Sequence, residues 1–503
     1  MSGDVDVLIV GAGPTGLTLA CALARRGVRF RIVEKMPVPP TGSRGKGLQP
    51  RSLELFDDLG VVSDVVADGK FNLPVRYYDE EGRFKEETLH PAVPDRPDAP
   101  YLAPLLIPQF RVEEKLRNKL NELGGAVSFG TSLSAFRQDK DGVTATLQGP
   151  SAEITVRCRH LVGCDGGKST IREIAGISFA GETIESYRML LGDARVEGLD
   201  RDHWHIWRSK TGFFALCPLP STDLYQLQSS VGPNEDPEVS LAAMRRHAKE
   251  RATGVDIHVL DASWMSLWRA NVRMVDRYRS SNVFVAGDAA HVRSPAGGQG
   301  MNTGIQDGYN LGWKLAAVLG GADNGLLDSY QEERLPIAAW VLGLSTGMMN
   351  AVAKTRTLQF RRDEQTLQLG LDYRHSSLSV DTRGEGEGLR AGDRAPQAPG
   401  LEGPRGPCSM FDLLRGPHWT VIGMGMRWRG LIKEILTAFP GSMKGYAICD
   451  GGSDYFDRDG HARTAYGESS LYVIRPDNYV GLATDDCDLA RVRDYIRASG
   501  AGT

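Results

Sequence analysis

The chain has 503 residues, 41% of them apolar and 24% charged, with 59 Lys and Arg against 63 Asp and Glu. That length predicts two or three domains, and the balanced charge excludes both the basic surface of a nucleic-acid binder and the acidic run of a disordered tail. Seven cysteines, an odd number with no CxxC among them, argue against dithiol chemistry and a zinc site and for thiols in a reducing compartment; no metal is expected.

Val5–Val10 (VDVLIV) reads as a buried strand, residues 15–26 as a helix stopped at Gly27, and residues 28–34 as a second strand. Together they predict a βαβ unit with a parallel strand pair. Asp4 and Asp6 stand where a signal peptide would be positive, and no run reaches the ~20 apolar residues of a membrane span, so a cytoplasmic protein is expected. Helices follow at 50–60 and 111–124, both ending at glycine, then strands at 142–147, 154–158 and 160–164. Residues 180–275 carry Trp204, Trp207, Phe213, Phe214, Tyr225, Trp264 and Trp268 among short strand-like segments. That pattern suits a sheet facing a bulky apolar ligand and suits an aromatic core equally well. A strand at 282–286 leads through a Gly-rich loop into a helix at 303–319, and residues 324–370 look mainly helical. Residues 383–407, rich in Gly, Pro and Arg, read as a linker. A last unit has strands near 418–423, 444–449, 470–474 and 479–483.

Three segments carry chemistry. GAGPTG, Gly11 to Gly16, has GxGxxG spacing between a strand and a helix. Gly11 permits the tight turn, Gly13 the approach of a pyrophosphate, and Gly16 close packing of helix on strand, with Pro14 and Thr15 between them. The helix N-terminus offers free N–H groups to phosphates. Glu34, followed by Lys35, ends the second strand, where a carboxylate holds ribose hydroxyls. Downstream, VFVAGDAAHVRSPAGGQGMN places Asp288 at a strand end, suited to a ribityl chain. Pro295 and the amides of Gly298, Gly300, Met301 and Asn302 are suited to the edge of a flavin ring, where a helix N-terminus stabilises negative charge. The third segment, CDGGKSTIRE, holds Asp165 and Gly166 after a buried strand. GMGMRWRG, Gly423 to Gly430, has GxGxxxxG spacing and is rejected as a second dinucleotide site.

GxGxxG, Asp-Gly near 165 and Gly-Asp near 287, in that order over residues 4–375, resemble the class A flavoprotein aromatic hydroxylases. The resemblance implies a Rossmann-type FAD-binding domain (1–179 and 276–382), an inserted β-sheet substrate domain (180–275) and, after the linker, a C-terminal thioredoxin-like domain lacking its CxxC (383–503). It implies non-covalent FAD, transient NADPH or NADH, O₂ and a small aromatic substrate, a phenol or polycyclic polyketide, hydroxylated through a flavin C4a-hydroperoxide. It also places Arg44 near a mobile flavin, Gln109 on the flavin side of the pocket, Leu133 beside the adenine, and Asp165 where FAD and the nicotinamide meet. His203, His205 and Tyr225 carry groups able to orient a phenol, with a core or solvated histidine as the competing reading. Baeyer–Villiger oxygenation, a substrate-reduced oxidase or dehydrogenase, and a non-catalytic flavin-binding protein are the rival functions; the chain is expected as a monomer or homodimer.

Overall fold

The computed structural model describes residues 4–88, 96–209, 212–232, 235–293, 298–355, 364–449 and 455–500. Val5–Val10 is central to the first sheet and pairs in parallel with Phe30–Glu34 on one side and Glu153–Gly163 on the other. Val7 to Ile9 are wholly buried, as the β-branched run requires of a strand covered on both faces. Val127–Phe129 and Val283–Val285 extend the parallel set. The segments expected as separate strands at 154–158 and 160–164 are one strand, Glu153–Gly163, because its first half pairs with the hairpin strand Gly142–Gln148 while its second half enters the parallel core.

The glycine spacing sets how tightly this domain packs. A Cβ on Gly11, whose φ is +103°, would lie 2.2 Å from the Cys164 carbonyl oxygen, and one on Gly16 would lie 2.0 Å from the Gly11 oxygen. The helix Gly300–Leu319 crosses Pro14–Ala24 along Gly304, Gly308 and Gly312, four residues apart and thus on one face. Cβ atoms there would come within 2.4 to 2.7 Å of Thr15 and Ala22. Larger side chains would separate the two helices.

The aromatic middle segment forms a second eight-stranded sheet, built on the long antiparallel pair Phe179–Glu197 and His258–Val275. It draws strands from outside residues 180–275: Val75–Tyr78 and Phe84–Glu87 join one edge and His291–Val292 the other. In the C-terminal unit Trp419–Met424 pairs in parallel with Met443–Cys449 and antiparallel with Leu471–Ile474, which pairs with Val480–Thr484, the thioredoxin-like arrangement. The expected linker at 383–407 is packed structure instead. Ala391, Ala395, Ala398 and Leu401 are buried in that unit's core, and Arg383 forks onto Asp381. Its glycines and prolines shape turns over a core, and composition does not separate that from a free linker. The rejected motif at Gly423–Gly430 is a strand–turn–helix in which Gly423 lies under the Trp428 side chain. No helix among the described residues is long and apolar enough to cross a membrane.

Candidate active site

A cleft of about 1580 Å³ opens between the carboxyl ends of the parallel strands and one face of the second sheet. Ligands of open α/β sheets bind at strand carboxyl ends, and pockets for one small molecule are usually ~300–1,000 Å³, so this cleft has room for a dinucleotide and a second molecule.

The first half is built by strand ends and two helix starts. Gly11, Gly13, Pro14 and Thr15 line it, and among the described residues nothing lies within 4 Å of where a Gly13 Cβ would stand. Pro14–Ala24 and Gly300–Leu319 begin without a side-chain cap, which leaves first-turn N–H groups free for an acceptor. Glu34 lines the cleft while its Oε2 accepts from the Ala12 amide and its Oε1 from the Met36 amide, each at 3.0 Å. Lys35, Arg44, Gln109, Leu133, Asp165, Gly166, Asp288, Gly298, Gly300 and Met301 also face the cleft. Asp165 accepts from the Ile171 amide through Oδ2, and its Oδ1 is buried with no partner among the described residues. Burial raises its carboxyl pKa against the hydrogen bonds from Ser169 and Ile171.

Asn302 does not line the cleft, and its side chain is engaged behind it. Its Nδ2 donates to the Gly47 and Gly298 oxygens and its Oδ1 accepts from the Gln49 amide, so it ties the segment after Arg44 to the helix start. Pro295 lies outside the described residues. Behind the loop, Asp307 accepts from His291 Nε2 at 2.8 Å and from Arg334 Nε at 2.7 Å. Burial would raise the Asp307 carboxyl, but Arg334 and His291 outweigh it and hold it at about 2. Arg293 donates to His291 Nδ1, so that imidazole is neutral, with its proton on Nε2.

The second half is the sheet face bearing Met189, Leu191, Trp204, Phe213, Gln226, Gln228, Trp264 and Trp268. The three residues expected to orient a phenol are not on it. His205 and Tyr225 belong to the opposite face, because side chains alternate along a strand. His205 Nδ1 accepts from Tyr78 Oη at 2.9 Å, and its Nε2 donates to the Asp200 carbonyl at 2.9 Å. Burial pulls its pKa down. Tyr225 Oη donates to the Leu199 and Asp200 oxygens, and its ring packs in the core with Trp207 and Phe214. His203 precedes the strand and binds Asp200 at 2.7 Å and Glu86 at 3.3 Å. Lys46, Gln226 and Arg293 line the cleft and were missed. The alternation Tyr225-Gln226-Leu227-Gln228 was the available signal: polar residues repeating every second position in an aromatic sheet mark a face that is not core.

Residues 4–345 match the family model described as FAD binding domain. The chain is 41% identical over 491 residues to a flavin-dependent monooxygenase of Mycobacteroides abscessus, covering 96% of this chain and 97% of that protein. It is 36% identical over 410 residues to the 6-methylpretetramide 4-monooxygenase of Streptomyces rimosus, covering 76% and 72%. The crystal structure of aklavinone-11 hydroxylase with FAD and aklavinone superposes with a TM-score of 0.82 at 28% identity, covering 99% of both chains.

Proposed function

This chain belongs to the FAD-binding-domain family and is an FAD-dependent, NAD(P)H-consuming aromatic monooxygenase; we propose that its substrate is a phenolic polycycle of the polyketide kind, laid against the Trp204–Trp268 face. The observation that carries the reading is the convergence of two uncapped helix starts and the aromatic sheet face on one cleft. The relatives named for 6-methylpretetramide and aklavinone support a polycycle.

The first half of the cleft fits FAD. The Gly13 position is open toward the cleft, and the buried Asp165 Oδ1 lacks a donor among the described residues. In this reading the first-turn amides after Gly13 hold the diphosphate, and Glu34 holds the adenosine ribose beside Lys35 and Leu133. Asp288 holds the ribityl chain. Gly298, Gly300 and Met301 present amides where the helix N-terminus favours negative charge on the ring. Arg44 and Gln109 border the ring's access from the adjoining segment, and Asp165 with Gly166 faces the region left for the nicotinamide. When bound, FAD takes electrons from NAD(P)H and supplies activated oxygen to the substrate. Trp204, Phe213, Trp264 and Trp268 hold the aromatic substrate and keep water out.

NAD(P)H consumption in air, run with a panel of hydroxylated polycycles and small phenols, tests this. Stimulation with a product heavier by one oxygen atom is expected. Flavin bleached by substrate with no nicotinamide present would overturn it in favour of an oxidase.

A further inference from the structure

Lys46 lies where the cofactor domain meets the substrate sheet. It continues the segment of Arg44 and Gly45, and its carbonyl accepts from the Ile107 amide. Its Nζ donates to Gln226 Oε1 and sits 4.4 Å above the Trp204 ring, both on the sheet face that lines the cleft. Gln226 is in turn oriented. Its Nε2 donates to the Ser43 carbonyl and hydroxyl, while the Ser43 amide and hydroxyl donate to the buried Asp193.

An ammonium group has three N–H donors. Among the described residues, this one has a neutral amide as its hydrogen-bond acceptor and no carboxylate within ion-pair distance; Asp193 is reached only through Ser43 and Gln226. Lys46 is half-buried in the cleft wall, and withdrawing such a charge from water is costly unless an anion faces it. The nearby Lys70 is engaged by Asp202 at 3.1 Å, and Cys217, with its thiol pushed up to about 11 by burial, is neutral. Burial lowers the Lys46 pKa, opposed by the charge of Asp193.

We propose that Lys46 binds an ionised oxygen of the substrate, so that the enzyme takes its aromatic substrate as a phenolate or enolate. The phenolic proton goes to solvent, Lys46 stays an ammonium, and no covalent bond to the protein forms. An oxyanion donates more density into the ring than a hydroxyl does, which activates the carbon that receives oxygen. The Trp204 face and Gln226 hold the ammonium in one place, so the ring is held in one register. Affinity is greatest between the ionisation of the free phenol and that of Lys46, and falls on either side.

This assignment rests on the proposed substrate half of the cleft, and its test needs no turnover. The FAD-loaded enzyme is titrated without NAD(P)H against 4-nitrophenol and alizarin, whose ionised forms absorb at longer wavelength than their neutral forms. Bound dye should ionise about one pH unit or more below free dye. Lys46→Met should remove the shift and weaken binding of the anion about tenfold, while Lys46→Arg keeps most of both. Visible absorbance of the bound flavin checks that each variant is folded. An unshifted dye, an equal shift in Lys46→Met, or no dye binding to the wild-type enzyme overturns the assignment. NAD(P)H consumption with the same dyes separates the two readings: turnover with an unshifted dye rejects the Lys46 role alone, and a shifted dye without turnover rejects it as a substrate only.

Discussion

Glu333 and Arg475 meet as a bidentate pair at 2.6 and 2.9 Å with both side chains fully buried. Glu333 also takes Lys314 Nζ at 2.7 Å, and Asp477 takes Arg475 and the Trp313 indole. The network fastens the C-terminal unit to Gly300–Leu319, the helix whose start lines the cleft.

Removing one partner leaves buried charge without compensation. Arg475→Met should therefore cost about 3–5 kcal/mol, read as a large fall in Tm. Loss of tightly bound FAD should accompany it, because the helix that loses its anchor is the one that starts in the cleft. An unchanged melting temperature would show that the two units are held by other contacts.

Gly13 and Gly16 separate binding from folding. Among the described residues a Cβ on Gly13 meets no atom, whereas one on Gly16 would overlap the Gly11 oxygen. Apo Gly13→Ala should melt like the wild type and bind FAD at least about tenfold more weakly. Gly16→Ala should lose stability as well. Flavin absorbance after gel filtration, with melting curves of the apoproteins, measures both.

Glu113 predicts a pH dependence. Burial pushes its carboxyl from 4.5 up to about 7, against the hydrogen bond from Gln109 and the charges of Arg117 and Arg44. A raised carboxyl favours the protonated form in the folded state. Its contribution is complete below pH 4.5 and lost as pH rises through about 7. Glu113→Gln keeps an acceptor oxygen without charge, so it should gain on the order of 2 kcal/mol over the wild type at alkaline pH and little at pH 5. Equal melting temperatures at both pH values would count against it.

The two faces of the substrate sheet should respond differently. His205→Phe removes bonds to Tyr78 and Asp200 behind the sheet and should cost about 1–3 kcal/mol of stability, with kcat/KM nearly unchanged. Trp268→Ala, on the cleft face, should raise KM for a polycyclic substrate with a smaller effect on melting. The reverse pattern would place the substrate on the other face.

What was legible in the chain is what depends on neighbours in sequence. The strand–glycine–helix start at Val5–Ala24, Glu34 at the second strand end, and Asp288 before a Gly-rich helix start are each a local pattern tied to backbone geometry, and all three line the cleft. Which face of the Trp204–Ser209 strand meets the cleft was decided only by tertiary structure. Trp204 and His205 are adjacent, and alternation sends one to the cleft and the other to the core, whereas the sequence supplies aromatic and polar groups to both. Lys46 reaches Gln226 across 180 residues, and Val75–Tyr78 joins a sheet whose next strand begins at Trp204. Such pairings follow from how whole domains pack, for which local periodicity carries no signal.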